Sequence, residues 1–229
     1  MKTTWLQQKG ADELLLFFNG WGMDHRMGDH LFGGLQANGW TQDVIACHDY
    51  RSLQMDADVM KAISRYRKRT VIAWSFGVWA AQHADLPPIT RALAINGTLH
   101  PIDAEKGIKP EIVEATRSGW SEENRARFNR RMCGSSEALA LFATMAPDRS
   151  VVDQQEELAQ VQHHLQRADA TPATWRYDHA IIGTRDLIFP PQQQCAAWNG
   201  TAQTMIAEMP HFPFLHFKTF SELLACFSR

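Results

Sequence analysis

Six short apolar runs constrain this chain more than any other feature. Glu13–Phe18, Asp43–Cys47, Thr70–Trp74, Arg91–Asn96, His179–Gly183 and Gln203–Ala207 are each five or six residues long and bounded by turn residues. Most positions in them are apolar, odd and even alike. A strand that is apolar on both faces needs cover on both faces, as in a parallel sheet. Between the first four runs lie helix-patterned stretches, Met27–Asn38, Asp56–Lys68 and Phe76–Asp85. That alternation predicts a parallel α/β sheet with helices on both faces.

The alternation stops after Asn96. From about Pro101 to Thr174 the pattern is helical only, in Glu122–Met132, Ser136–Met145 and Asp153–Ala168, and strands resume at His179. The expectation is one α/β domain over 1–229, interrupted by a helical lid over 101–174. A chain of 229 residues can bury one full core of that kind. A final helix is expected near Phe220–Phe227.

Composition narrows the function classes. With 23 basic and 25 acidic side chains the net charge is −2, which argues against general binding of nucleic acid or anionic membrane. MKTTWLQQKG lacks the apolar run of a signal peptide, and Leu14–Phe18 is too short to span a bilayer. Four cysteines, Cys47, Cys133, Cys195 and Cys226, form no C-x-x-C pair, which points to free thiols in a reducing cytoplasm. No phosphate-binding glycine pattern follows any strand. No metal or cofactor is expected.

The chemistry centres on Thr70–Ala81. The strand runs directly into Ala73-Trp74-Ser75-Phe76-Gly77 and a helix follows, a near match to the G-x-S-x-G nucleophile elbow with Ala73 for the first glycine. So sharp a turn crowds its neighbours, so the positions two before and two after the serine must be small. The helix dipole beyond it favours negative charge developing there. The alternative is an ordinary turn in which Ser75 caps its helix.

The partners follow in the order such an elbow requires. Asp186 lies just past the His179–Gly183 run, in Gly183-Thr184-Arg185-Asp186, with Pro190 and Pro191 closing the loop. Its alternative is a turn aspartate paired with Arg185. His211 sits between Pro210 and Pro213, after the last apolar run. It is positioned to take the Ser75 proton and return it to a leaving group, with Asp186 holding the tautomer. Of the remaining histidines only His100 and His216 stay open as bases, and both lack the post-strand position. An oxyanion hole needs two backbone N–H donors. Phe76 supplies one, and the glycine-rich turn Asn19-Gly20-Trp21-Gly22-Met23-Asp24 lets the Trp21 amide supply the other. The order predicts an α/β-hydrolase-type fold.

Taken together, the early G-W-G loop, the W-S-x-G elbow, the Gly-Thr-Arg-Asp-Leu-Ile-Phe-Pro acid loop and the late Pro-His-Phe-Pro-Phe resemble the carboxylesterases of biotin synthesis. These demethylate pimeloyl-[acyl-carrier protein] methyl ester, and the chain looks most like their short, BioG-type branch. The resemblance implies Ser75, Asp186 and His211 as a triad, Trp21 and Phe76 framing the oxyanion, and an acyl-carrier protein as partner. Arg127, Arg130 and Arg131 share one helix face that suits an acidic carrier. A solvated face partly neutralised by Glu122 and Glu123 is the alternative. Leu139 and Phe142 either wall an acyl channel or pack the core. Two other readings remain: a general carboxylesterase or acyl thioesterase with the same triad, and a non-catalytic α/β binding module.

Overall fold

The computed structural model describes residues 1–34, 40–167 and 173–228. Seven strands form one sheet: β1 (Lys2–Gln7), β2 (Glu13–Phe18), β3 (Asp43–His48), β4 (Lys68–Trp74), β5 (Arg91–Ile95), β6 (His179–Arg185) and β7 (Ala202–Pro210). Their order is β1-β3-β2-β4-β5-β6-β7. All neighbours are parallel except β1, which runs antiparallel to β3. The helices are α1 (Arg26–Gly33), α2 (Ala57–Arg65), α3 (Phe76–Gln82), α4 (Pro110–Ser118), α5 (Glu122–Cys133), α6 (Ser136–Thr144), α7 (Val151–Gln166), α8 (Pro191–Ala197) and α9 (Phe220–Leu224). This is the α/β-hydrolase architecture expected from the motif order.

Burial explains why the four central runs were readable. β2 to β5 are buried along nearly their whole apolar stretch, and Leu15, Leu16, Phe17, Val44, Ile45, Val71, Ile72 and Leu93 are wholly inaccessible. Each such side chain contributes roughly 1.5–3 kcal/mol on burial. The edges differ. β1 reads Lys-Thr-Thr-Trp-Leu-Gln and is only half-covered, so it carries no apolar run. β7 extends beyond Gln203–Ala207 and is largely exposed until Met209 and Pro210, so it is not apolar on both faces. An edge strand is covered by fewer neighbours and tolerates polar residues.

Two helices escape the apolar pattern. α4 opens with Pro110 and α8 with Pro191, at the first turn, where proline's missing N–H costs nothing. Pro191 therefore starts a helix instead of closing a loop. The helix read over Met27–Asn38 ends at Gly33 in the described part, and positions 35–38 lie outside the described residues. α2 stops at Arg65, because Lys68 already belongs to β4. α7 ends at Gln166, and position 168 also lies outside the described residues. α9 passes at Ala225 into a 3-10 turn. Among the described residues, α4 to α7 and one isolated bridge, Ile102 to Ile108, make up the regular structure between β5 and β6. No helix among them is long and apolar enough to cross a membrane.

The topology fixes where a site can form. From β2 the chain crosses to β3 on one side, and β4 then pairs on the other side of β2. Loops leaving the carboxyl ends of β2 and β4 diverge there and leave a crevice. The loops after β5, β6 and β7 reach the same end.

His48, the last residue of β3, provides a test of the buried architecture. It is 7% exposed, and its Nδ1 has no partner among the described residues. Burial holds its pKa down at about 4 from 6.5, with nearby Asp24 pulling it up and Arg149 pushing it down. Between about pH 6.5 and pH 4 the unfolded chain binds a proton that the folded chain excludes. Stability should therefore fall as pH drops through that window, by up to about 1.4 kcal/mol per pH unit from this group. Urea unfolding of His48→Gln should show a shallower decline there, and an unchanged slope would refute the assignment.

Candidate active site

Ser75 sits between the last residue of β4 and the first of α3 with φ +59° and ψ −129°. That backbone region is costly for any residue with a β-carbon, so the surroundings must hold it. Its amide donates to the Ile95 carbonyl at 3.0 Å, tying the turn to β5. Close backbone approach does the rest. A β-carbon on Gly77 would run into the Phe18 and Asn19 carbonyl oxygens, and one on Gly97 into the Ser75 backbone. At Gly20 it would stand 3.3 Å from the Ser75 β-carbon and 3.2 Å from the Trp74 ring. The loops after β2 and β5 thus clasp the turn on both sides.

The Ser75 hydroxyl makes no capping bond to its helix. Its Oγ stands 3.0 Å from His211 Nε2, and His211 Nδ1 stands 2.8 Å from Asp186 Oδ2. A carboxylate accepting from Nδ1–H leaves Nε2 as acceptor for the serine hydroxyl. All three side chains are buried, Asp186 and His211 to 2% exposure. Asp186 is itself fixed: its Oδ1 accepts from the Ile188 and Phe189 amides at 2.8 Å, and its Oδ2 accepts from Gln194 Nε2 at 3.0 Å. Arg185 turns away to Glu208 at 2.9 Å, so the turn pairing with Asp186 is not adopted. The exposed His216 and His100, in the loop after β5, stand outside this series.

Two polar residues that sequence reasoning missed support the series. Asn96, φ +46°, donates from Nδ2 to the Pro210 and His211 carbonyls at 2.8 and 3.0 Å. Its Oδ1 accepts from the Gly183 amide at 2.8 Å, so it stitches β6 to the histidine loop. The Trp74 indole also donates to the His211 carbonyl at 2.9 Å. Gln194 lies on α8 and links Asp186 to the Phe189 carbonyl at 2.7 Å. The one signal in the sequence was Asn96 itself, a polar residue closing an apolar run.

A cavity that is partly open to solvent adjoins Ser75 and His211. Gly20, Trp21 and Phe76 line its inner end, and Ile108, Ile112, Val113, Phe128, Met132 and Leu158 give it apolar walls. The loop inside it is a turn: Met23 N–H donates to the Gly20 carbonyl at 3.3 Å and Gly22 has φ +75°. Glycine at that position is what a type II turn requires. Phe76, as the first helical residue, has an amide with no acceptor inside its own helix.

The other expected residues are divided. Arg131 reaches the cavity, whereas exposed Arg127 pairs with Glu123 and Arg130 is exposed without an ion pair among the described residues. Leu139 and Phe142 do not wall the cavity. Phe142 is buried edge-on against Phe212 at 5.7 Å, and Leu139 packs against the core, because their side of α6 faces the histidine loop's aromatic residues. Among the described residues no three His, Cys, Asp or Glu side chains converge as metal ligands do.

A family model described as pimeloyl-ACP methyl esterase BioG matches residues 1–223. A malonyl-[acyl-carrier protein] O-methyltransferase from Bacteroides fragilis is 43% identical over 190 residues, 81% of this chain and 36% of that protein. The chain thus spans about a third of the length of this curated relative. The crystal structure of BioG from Haemophilus influenzae superposes with a TM-score of 0.85 at 30% identity, covering 97% of this chain and 99% of that one. An esterase from Exiguobacterium antarcticum shares the fold at 12% identity, with a TM-score of 0.69 over 99% of this chain and 95% of that one.

Asn96→Ala would leave the buried Gly183 amide and the Pro210 carbonyl short of a partner. Chemical unfolding should show a loss of roughly 1–3 kcal/mol. A neutral result would mean that the stitch between β6 and the histidine loop carries no stability.

Proposed function

Because the chain belongs to the BioG family of pimeloyl-ACP methyl esterases, we propose that it is a serine carboxylesterase hydrolysing the methyl ester of pimeloyl-[acyl-carrier protein] in biotin synthesis. The observation that carries this reading is the buried series Ser75–His211–Asp186 opening into an apolar cavity beside the Trp21 turn. Ser75 Oγ attacks the ester carbonyl while His211 Nε2 takes its proton. The tetrahedral oxyanion is held by the amides of Trp21 and Phe76, each donor of this kind being worth about 10²–10³ in rate. His211 returns the proton to the departing methoxide, and methanol leaves. Water, deprotonated by His211, then attacks the acyl-enzyme, which releases the free carboxylate and restores the Ser75 hydroxyl.

The helical stretch over 101–174 is, in this reading, a lid on a single α/β domain. α4, α5 and α7 supply the cavity walls, so a seven-carbon chain lies among apolar side chains with its carrier outside. Arg131 at the cavity, with Arg130 and Arg127 on the same helix, suits an acidic carrier bearing a phosphate. The relative from Bacteroides fragilis, named for methylating a malonyl carrier, supports a carrier-bound methyl ester as the substrate class. The setting we propose is the cytoplasm, since none of the four cysteines stands in a C-x-x-C pair.

A second reading, a general carboxylesterase or thioesterase, draws on the same series and on the mostly apolar walls of the cavity. Turnover of pimeloyl-carrier methyl ester should exceed that of short p-nitrophenyl esters in kcat/KM. Efficient hydrolysis of the latter with none of the former would favour the second reading. A fluorophosphonate probe should label wild type at Ser75, fail on Ser75→Ala, and label His211→Ala slower by about 10²–10⁴-fold. A folded wild type that resists the probe would make this a binding module.

A further inference from the structure

α7 contacts the Trp21 turn through side chains that the mechanism above does not use. Gln154 is 3% exposed and Glu157 is fully buried, one helical turn apart. Glu157 Oε2 accepts from the Gly22 amide at 3.1 Å, and its Oε1 accepts from the Tyr50 amide at 2.9 Å. Gln154 Nε2 donates to the Gly22 carbonyl at 2.9 Å, and the Gln154 main-chain carbonyl accepts from the Trp21 indole at 2.8 Å. Both peptide units flanking Gly22 are therefore held by one helix.

That matters because turn types differ by rotation of the peptide between the two central residues. The Gly22 N–H belongs to that peptide, and a buried carboxylate fixes its direction. The Gly20 carbonyl, already used by Met23, fixes the preceding peptide, whose trans geometry sends the Trp21 N–H to the opposite side. Neither the Gly22 N–H nor the Gly22 carbonyl can swing without abandoning a partner on α7. Arg149 secures the arrangement, donating to Glu157 Oε2 at 2.5 Å and to the Met23 carbonyl at 3.3 Å. Trp120 caps it from above, its ring 4.6 Å from that of Trp21 and its indole donating to Gln154 Oε1 at 3.2 Å.

We propose that Gln154 and Glu157 are positioning residues that aim the Trp21 amide at the oxyanion. The inference rests on the serine-esterase reading given above. A displacement of about 1 Å in such a donor can cost on the order of 10²-fold in rate.

Gln154→Met keeps the shape of the side chain and removes its donor, so it is the primary variant. kcat on the preferred ester should fall about 10–100-fold with KM within about twofold of wild type. A trifluoromethyl ketone of matching chain length forms a tetrahedral oxyanion on the serine, and its affinity should fall in parallel. The corresponding alcohol, which fills the cavity without forming an adduct, should bind as before. Glu157→Gln should show the same split, measured after circular dichroism and thermal unfolding confirm that it is folded. Equal loss for ketone and alcohol, or unchanged kcat in Gln154→Met, would overturn the proposal. If wild type itself neither turns over esters nor binds the ketone, the esterase reading fails instead.

Discussion

A serine held in a backbone conformation that its own β-carbon disfavours is the constraint on which this molecule is organised. The strand-to-helix turn at Ser75 has to be pressed from two sides, by the end of β2 and its loop, which meet Gly77 of α3 and bring in Gly20, and by the loop after β5 through Gly97. The same compression that strains the turn brings three chain segments to one point. Strain and site are therefore one arrangement: relaxing the first would separate the groups that make up the second. The sheet contributes by order alone, since the reversal at β2 is what leaves room for those loops to meet.

The groups around His211 show how neutral partners add to a carboxylate in fixing a buried side chain. Its side chain is held by Asp186, but its main chain is held by Asn96 and Trp74, which both donate to the same carbonyl. Asn96 in turn accepts from Gly183 in β6, so the histidine loop is referenced to the sheet. Gln194 does the same for Asp186 from α8. None of these neutral residues need meet a substrate, yet each removes a direction in which the hydrogen-bonded series could drift.

How much of this was legible in the sequence depended on burial. β2 to β5 are covered on both faces, so their residues are apolar throughout and announce themselves. β1 lies at one edge, where Lys2 and Thr3 give no such signal; at the other edge the run Gln203–Ala207 marks only the middle of β7. Ser75, Asp186 and His211 could be picked out because strand ends place them and a required order links them. Asn96, Gln194, Gln154 and Glu157 could not, because their roles depend on partners remote in sequence: Gln154 and Glu157 meet a loop that the chain laid down well before them. Leu139 and Phe142 have the right spacing for a channel wall, but spacing fixes only which residues share a face. What that face meets, here Phe212, is decided by tertiary packing.

The pairing of β5 with β6 carries a consequence for how the chain reaches this state. These strands are hydrogen-bonded neighbours, Ile95 opposite Ile181, although all of α4 to α7 lies between them in sequence. Closing so long a loop costs entropy before any contact repays it, and parallel pairing across it is a slow step in assembly. β1 to β5 can pair among themselves first, bringing Ser75 into its turn. Asp186 and His211 arrive only with β6 and β7. The three groups of the candidate site are thus divided between the part of the sheet that precedes the long connection and the part that follows it.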